Sequence, residues 1–111
     1  RIFTIGLTAA DNKREIKINK YALEQNYPNP FNPVTNINYS LAVNSNVKLR
    51  IYDMIGREVA NLVNTVQLNG NHSAVFNASS LASGVYIYRL DAITVDGSAG
   101  YSEIKKMILI K

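Results

Sequence analysis

The sequence predicts an all-β fold, an antiparallel β-sandwich of about seven strands. Apolar–polar alternations of period two recur along most of the chain, and Gly, Asn and Asp turn signals separate them roughly every 8 to 12 residues. No stretch carries the 3.6-residue period of a useful helix, and no internal repeat points to a solenoid or propeller. The 111 residues suffice for one two-layer core and not for two.

Residues 1–20 read as a linker or the end of a preceding domain, or as strands contributed to this sandwich. They hold two strand-like stretches, Ile2 to Leu7 and Glu15 to Ile18, around the turn Ala10 to Lys13. The chain opens on Arg1 with no signal peptide, and so reads as a piece of something longer or as a processed product. Pro28, Pro30 and Pro33 are the only prolines. Each fixes its own φ and pushes the preceding residue out of the helical region, which predicts a rigid, extended lead-in anchored by Tyr27 and Phe31.

Strand signals follow in order. Asn36 to Leu41 places Ile37, Tyr39 and Leu41 on one face, and Val47 to Tyr52 turns Val47, Leu49 and Ile51 inward with Lys48 and Arg50 outward. Asp53 to Gly56 reverses the chain, because Asp can bond its own backbone and Gly accepts positive φ. Glu58 to Val63 returns, Val66 to Leu68 leads to the turn Asn69-Gly70-Asn71, and His72 to Phe76 is the next strand. Ser79 to Gly84 is a compact loop with Leu81 as its apolar plug. Val85 to Leu90 is the strongest β segment, Ile93 to Ser98 closes on Asp96-Gly97, and Ile104 to Ile110 is the last strand.

The residues offer little chemistry. With no cysteine there are no disulfides, thiolate nucleophiles or cysteine zinc sites. His72 is the single histidine and has no acidic neighbour in sequence, which makes it a surface residue rather than a general base. Asp53 and Asp96 stand at turns as caps, and Asp91 lacks partners at ligand spacing. The segment Gly97 to Gly100 lacks the strand-to-helix setting of a phosphate loop. No enzyme, cofactor or metal is expected. The net charge of +4 comes from scattered basic residues with no run resembling a nucleic-acid arm, so no nucleic-acid partner is expected either. Seven tyrosines invite a carbohydrate-binding reading, but Tyr86 and Tyr88 share a face with Leu90, which favours the core.

From Tyr21 onward the chain resembles the type A C-terminal sorting domain of type IX secretion, itself similar to the immunoglobulin-like domain of flagellar hook-capping proteins. The resemblance rests on Leu23-Glu24-Gln25-Asn26-Tyr27-Pro28-Asn29-Pro30-Phe31-Asn32-Pro33, on Thr35 to Leu41, on Ile51-Tyr52-Asp53-Met54-Ile55-Gly56-Arg57-Glu58-Val59, on Leu81-Ala82-Ser83-Gly84-Val85-Tyr86-Ile87-Tyr88-Arg89-Leu90, and on Lys105-Lys106-Met107-Ile108-Leu109-Ile110-Lys111. One departure is Phe76-Asn77, where the family often has Trp and Asp.

The resemblance implies an immunoglobulin-like sandwich over residues 21–111 that acts as a non-catalytic address. A separate signal takes the cargo into the periplasm, and the outer-membrane type IX translocon recognises the domain. In many members a surface sortase-like protease then removes it and joins the cargo to anionic lipopolysaccharide. The expected location is the outer surface or the medium. As contact residues the reading names Asp53, Gly56 and Arg57 in the turn, and Lys105, Lys106, Met107, Leu109 and Lys111 in the terminal strand, whose edge is available to a partner. As structural anchors it names Tyr27, Pro28, Pro30, Phe31, Pro33, Gly84 and Tyr86. A rival is a structural or adhesive module, a spacer or fibre subunit that self-associates through residues 1–20. The other rival, a carbohydrate-binding accessory domain, requires an exposed coplanar tyrosine pair.

Overall fold

A computed structural model of the chain describes residues 20–111, so the stretches Ile2 to Leu7 and Glu15 to Ile18 lie outside the described residues. Seven strands form two antiparallel sheets: β1 (Ala22–Leu23), β2 (Val34–Leu41), β3 (Ser45–Tyr52), β4 (Glu58–Gln67), β5 (Gly70–Asn77), β6 (Gly84–Thr94) and β7 (Gly100–Leu109). The smaller sheet has the order β1-β2-β5 and the larger β4-β3-β6-β7. Their facing sides enclose the core, where period-two alternation delivers Ile37, Leu41, Val47, Leu49, Ile51, Tyr88 and Leu90, none more than 1% exposed.

The short strand β1 was not read from the sequence, β2, β3 and β5 each begin two residues earlier than read, and three further differences have a physical reason. β4 is one strand through Gln67, and two register shifts against β3 put its apolar residues out of simple alternation, which made it read as two pieces. β6 continues through Asp91 to Thr94, because Arg50, Arg89 and Ser102 all bond that outward-facing carboxylate within the sheet. β7 begins at Gly100 rather than Ile104, since the β6–β7 hairpin closes tightly over Thr94 to Ala99.

The proline segment is bent rather than extended. Bends occupy residues 28–30 and 32–33, and the Tyr27-Pro28, Asn29-Pro30 and Asn32-Pro33 bonds are cis. The segment is sewn into the sandwich by the Tyr88 hydroxyl, which donates to the Glu24 carbonyl at 2.7 Å and accepts from the Asn26 N–H at 2.8 Å. Asn26, itself 2% exposed, donates through Nδ2 to Thr35 Oγ1 at 3.0 Å and to the Pro28 carbonyl at 3.1 Å. The buried groups of Asn26, Thr35 and Tyr88 that tie this segment down thus all have partners, as burial demands.

Candidate recognition surface

The terminal strand β7 is an edge of the larger sheet, and exposed edges invite pairing with other chains. Here much of that edge is occupied. Phe31 forms a parallel bridge with Leu109, its N–H donating to the Ile108 carbonyl and its carbonyl accepting from the Ile110 N–H, both at 3.0 Å. Asn29 Oδ1 accepts from the Ile108 N–H at 3.0 Å, and Gln25 Nε2 donates to the Lys106 carbonyl at 2.8 Å. The Phe31 ring packs in the core against Phe76 with centroids 6.1 Å apart, fixing the cap in place. From Lys106 to Ile110 the edge is therefore closed to strand addition, against the expectation that it is available. Asn29 and Gln25 were not singled out as site residues in the sequence; the one signal, for Asn29 alone, is its place between Pro28 and Pro30, as a residue able to satisfy backbone groups.

Alternation sorts the residues of β7. Met107 and Leu109 are buried and cannot serve as contacts on the folded domain, a correction to the sequence reading. Lys106, Ile108 and Ile110 face outward, Lys105 is half-buried beside Glu103 at 3.5 Å, and the Lys111 ammonium donates to the Ser79 carbonyl at 2.7 Å.

The Asp53–Arg57 turn is rigid. Asp53 Oδ1 accepts from the N–H groups of Ile55 at 3.0 Å and Arg57 at 2.9 Å, while Oδ2 pairs with Arg57 Nε at 2.8 Å. The Arg57 backbone bond, aided by its side chain, holds the Asp53 carboxyl below the ordinary aspartate value. Gly56 occupies φ +90°, where a side chain is strained, and donates to the Asp53 carbonyl at 3.0 Å. Met54 and Ile55 project from this turn, 63% and 74% exposed, beside Val85 of β6.

Of the structural anchors, Phe31 and Tyr86 are buried, the latter donating to the Ala82 carbonyl at 2.6 Å. The Pro28 and Pro33 carbonyls accept from Thr35 Oγ1 and the Ala78 N–H, both at 2.8 Å. Pro30 is exposed in the bend, and Gly84 opens β6. The Tyr27 ring is 78% exposed, so it is the backbone of that residue, bridged to Asn36, that holds the chain.

On the outer face of the larger sheet, Asp91 accepts from Ser102 at 2.8 Å, Arg89 at 3.0 Å and Arg50 at 3.1 Å. Partial burial pushes its pKa up, and these three bonds more than offset that, leaving it lowered. Asp91 sets both carboxylate oxygens against protein donors, Asp96 Oδ1 accepts from Thr94 and Ser98, and no group of three His, Cys, Asp or Glu able to hold a metal occurs among the described residues. Tyr86 and Tyr88 are buried, and Tyr21 and Tyr101 stack on each other at 5.2 Å, so neither pair presents the side-by-side platform of a sugar-binding face. His72 stacks on Tyr39 and bonds the Leu68 carbonyl at 2.7 Å.

The described residues thus form an immunoglobulin-type sandwich with a rigid Asp53–Arg57 turn and a terminal strand whose edge is covered from Lys106 to Ile110. The chain belongs to the secretion system C-terminal sorting domain family, whose model matches residues 25–110. That family is non-catalytic and serves type IX secretion, so the chain interacts with the type IX machinery and its cargo goes to the outer surface. No curated protein matches the chain. Among solved structures it is similar to CopC from Methylosinus trichosporium OB3b, with a TM-score of 0.52 and 13% identity over 81% of this chain and 93% of that one, a likeness of fold. It is also similar to part of PorZ, an essential surface component of the type IX secretion system of Porphyromonas gingivalis, with a TM-score of 0.47 and 20% identity over 82% of this chain and 11% of that one.

Proposed function

We propose that the outer-membrane translocon of type IX secretion recognises this sandwich after the cargo has reached the periplasm. A surface sortase-like protease then removes the domain and leaves the cargo on anionic lipopolysaccharide or in the medium. The observation that carries this reading is the family match over residues 25–110. The rigidity of the sandwich, whose lead-in is tied to Tyr88 and whose terminal strand is tied to Phe31, supports recognition of a folded surface.

The finer steps are tested by exporting the full chain as the C-terminal part of a fluorescent reporter and weighing the surface product. Removal predicts a reporter lacking the sandwich in cells that have the surface protease, and a full-length reporter in cells without it. Full-length product in both overturns removal and leaves recognition standing.

A second reading, a structural module that stays on the mature protein and self-associates through residues 1–20, is favoured by one observation. The edge strand β4 carries no charge from Val59 to Gln67, and charge is a common guard against strand addition. A monomer at high concentration counts against it.

A further inference from the structure

The two sheets turn chemically different outer faces to solvent. Across the β2–β5 pair, Asn38 faces Ser73 and Ser40 faces Asn71, and no outward position of these strands is charged. On the larger sheet the register sets Tyr52 beside Ile87 and Lys106, Arg50 beside Arg89 and Ile104, and Val85 beside Ile108. Ile104 is 58% exposed and Ile108 37%, an apolar strip that continues into Met54 and Ile55 of the turn. Lys106 stands within the strip with no ion pair among the described residues, and the exposed Arg57 and Arg89 flank it.

We propose that this outer face, formed by β6, β7 and the Asp53–Arg57 turn, is where the domain docks on the secretion machinery, on a protein surface that sets carboxylates around an apolar depression. The proposal rests on the sorting function and names the partner's chemistry. Two observations select it. Pairing along Lys106 to Ile110 is pre-empted by Gln25, Asn29 and Phe31, so along that part of β7 side chains rather than backbone are what a partner meets. Along β7 isoleucine and cation alternate at every second residue, about 6.8 Å apart, and across to β6 Ile87 faces Lys106 and Arg89 faces Ile104 at about 4.8 Å, a pattern that a structured protein surface can match side chain for side chain and a fluid lipid surface cannot.

The test fuses the full chain to a periplasm-directed fluorescent protein and compares Lys106→Glu, Ile104→Glu and, on the opposite face, Asn38→Glu. The two larger-sheet variants are expected to lower translocon-dependent surface fluorescence at least tenfold with unchanged melting temperature, while Asn38→Glu is exported like the parent. Should Ile104→Glu melt early, Ile104→Thr keeps the β-branched shape and reads the same contact. Normal export of the larger-sheet variants, with export abolished by removing residues 20–111, overturns the docking face and leaves the sorting function intact. Failure of the parent to be exported removes both. Binding of the purified chain to phosphatidylglycerol vesicles that Lys106→Glu abolishes assigns the face to lipid, and a dimer that Ile104→Glu dissolves assigns it to a second copy; either result overturns the proposal.

Discussion

Phe31 lies alongside Ile108 and closes the terminal strand from outside, its N–H 3.0 Å from the Ile108 carbonyl. A residue near the start of the described chain thus completes an edge formed near its end. The proline segment that separates β1 from β2 is the strap that does this, and it gives the larger sheet a protected margin.

Asn29 tests the strap. Its side chain accepts the Ile108 N–H in an exposed setting. Asn29→Ala is expected to raise amide exchange at Ile108 selectively, with Tyr88 and Leu90 as protected as before, and to cost about 1 kcal/mol or less in global stability. Uniform loss of protection across β6 and β7 would mean that the strap and the sandwich unfold together.

Tyr88 tests the anchor. Tyr88→Phe keeps the ring in the core but leaves the Asn26 N–H without its acceptor and the Glu24 carbonyl without its donor. The expected loss is about 1–3 kcal/mol in urea unfolding, with little change in the m-value. A loss below a few tenths would show that water replaces the hydroxyl.

Stability should be flat through neutral pH and fall at both extremes. Burial pushes Tyr88 up to about 12, and burial together with the Glu103 bond does the same for Tyr101. The folded state therefore holds protons that the unfolded chain gives up near pH 10, so stability is fully present below about pH 10 and is lost as pH rises toward 12. On the acid side Asp96 is held at about 2 by the Ser98 and Thr94 bonds, and Asp91 is also lowered. Their contribution is present above about pH 4 and lost as pH falls toward 2. Melting temperature against pH checks both limbs, and Asp96→Asn should flatten the acid one.

The strands were legible wherever one face is apolar and the other polar. Asn36 to Leu41 and Val47 to Tyr52 alternate so cleanly that the sequence predicts their buried faces residue by residue. Terminal residues 107–110 are apolar on both faces, so alternation alone could not tell Met107 and Leu109, which are buried, from Ile108 and Ile110, which are not. Asn26, Asn29 and Gln25 were illegible for another reason. Their roles are bonds to groups 62, 79 and 81 residues away, which local spacing does not encode.

The central claim, that this sandwich is an address read by the type IX machinery, is tested most directly by surface fluorescence of a periplasm-directed reporter carrying the full chain, in otherwise identical hosts with and without a functional translocon. The account predicts fluorescence at the surface or in the medium of the first host and retention in the periplasm of the second. A folded reporter retained in the periplasm of both hosts would contradict it.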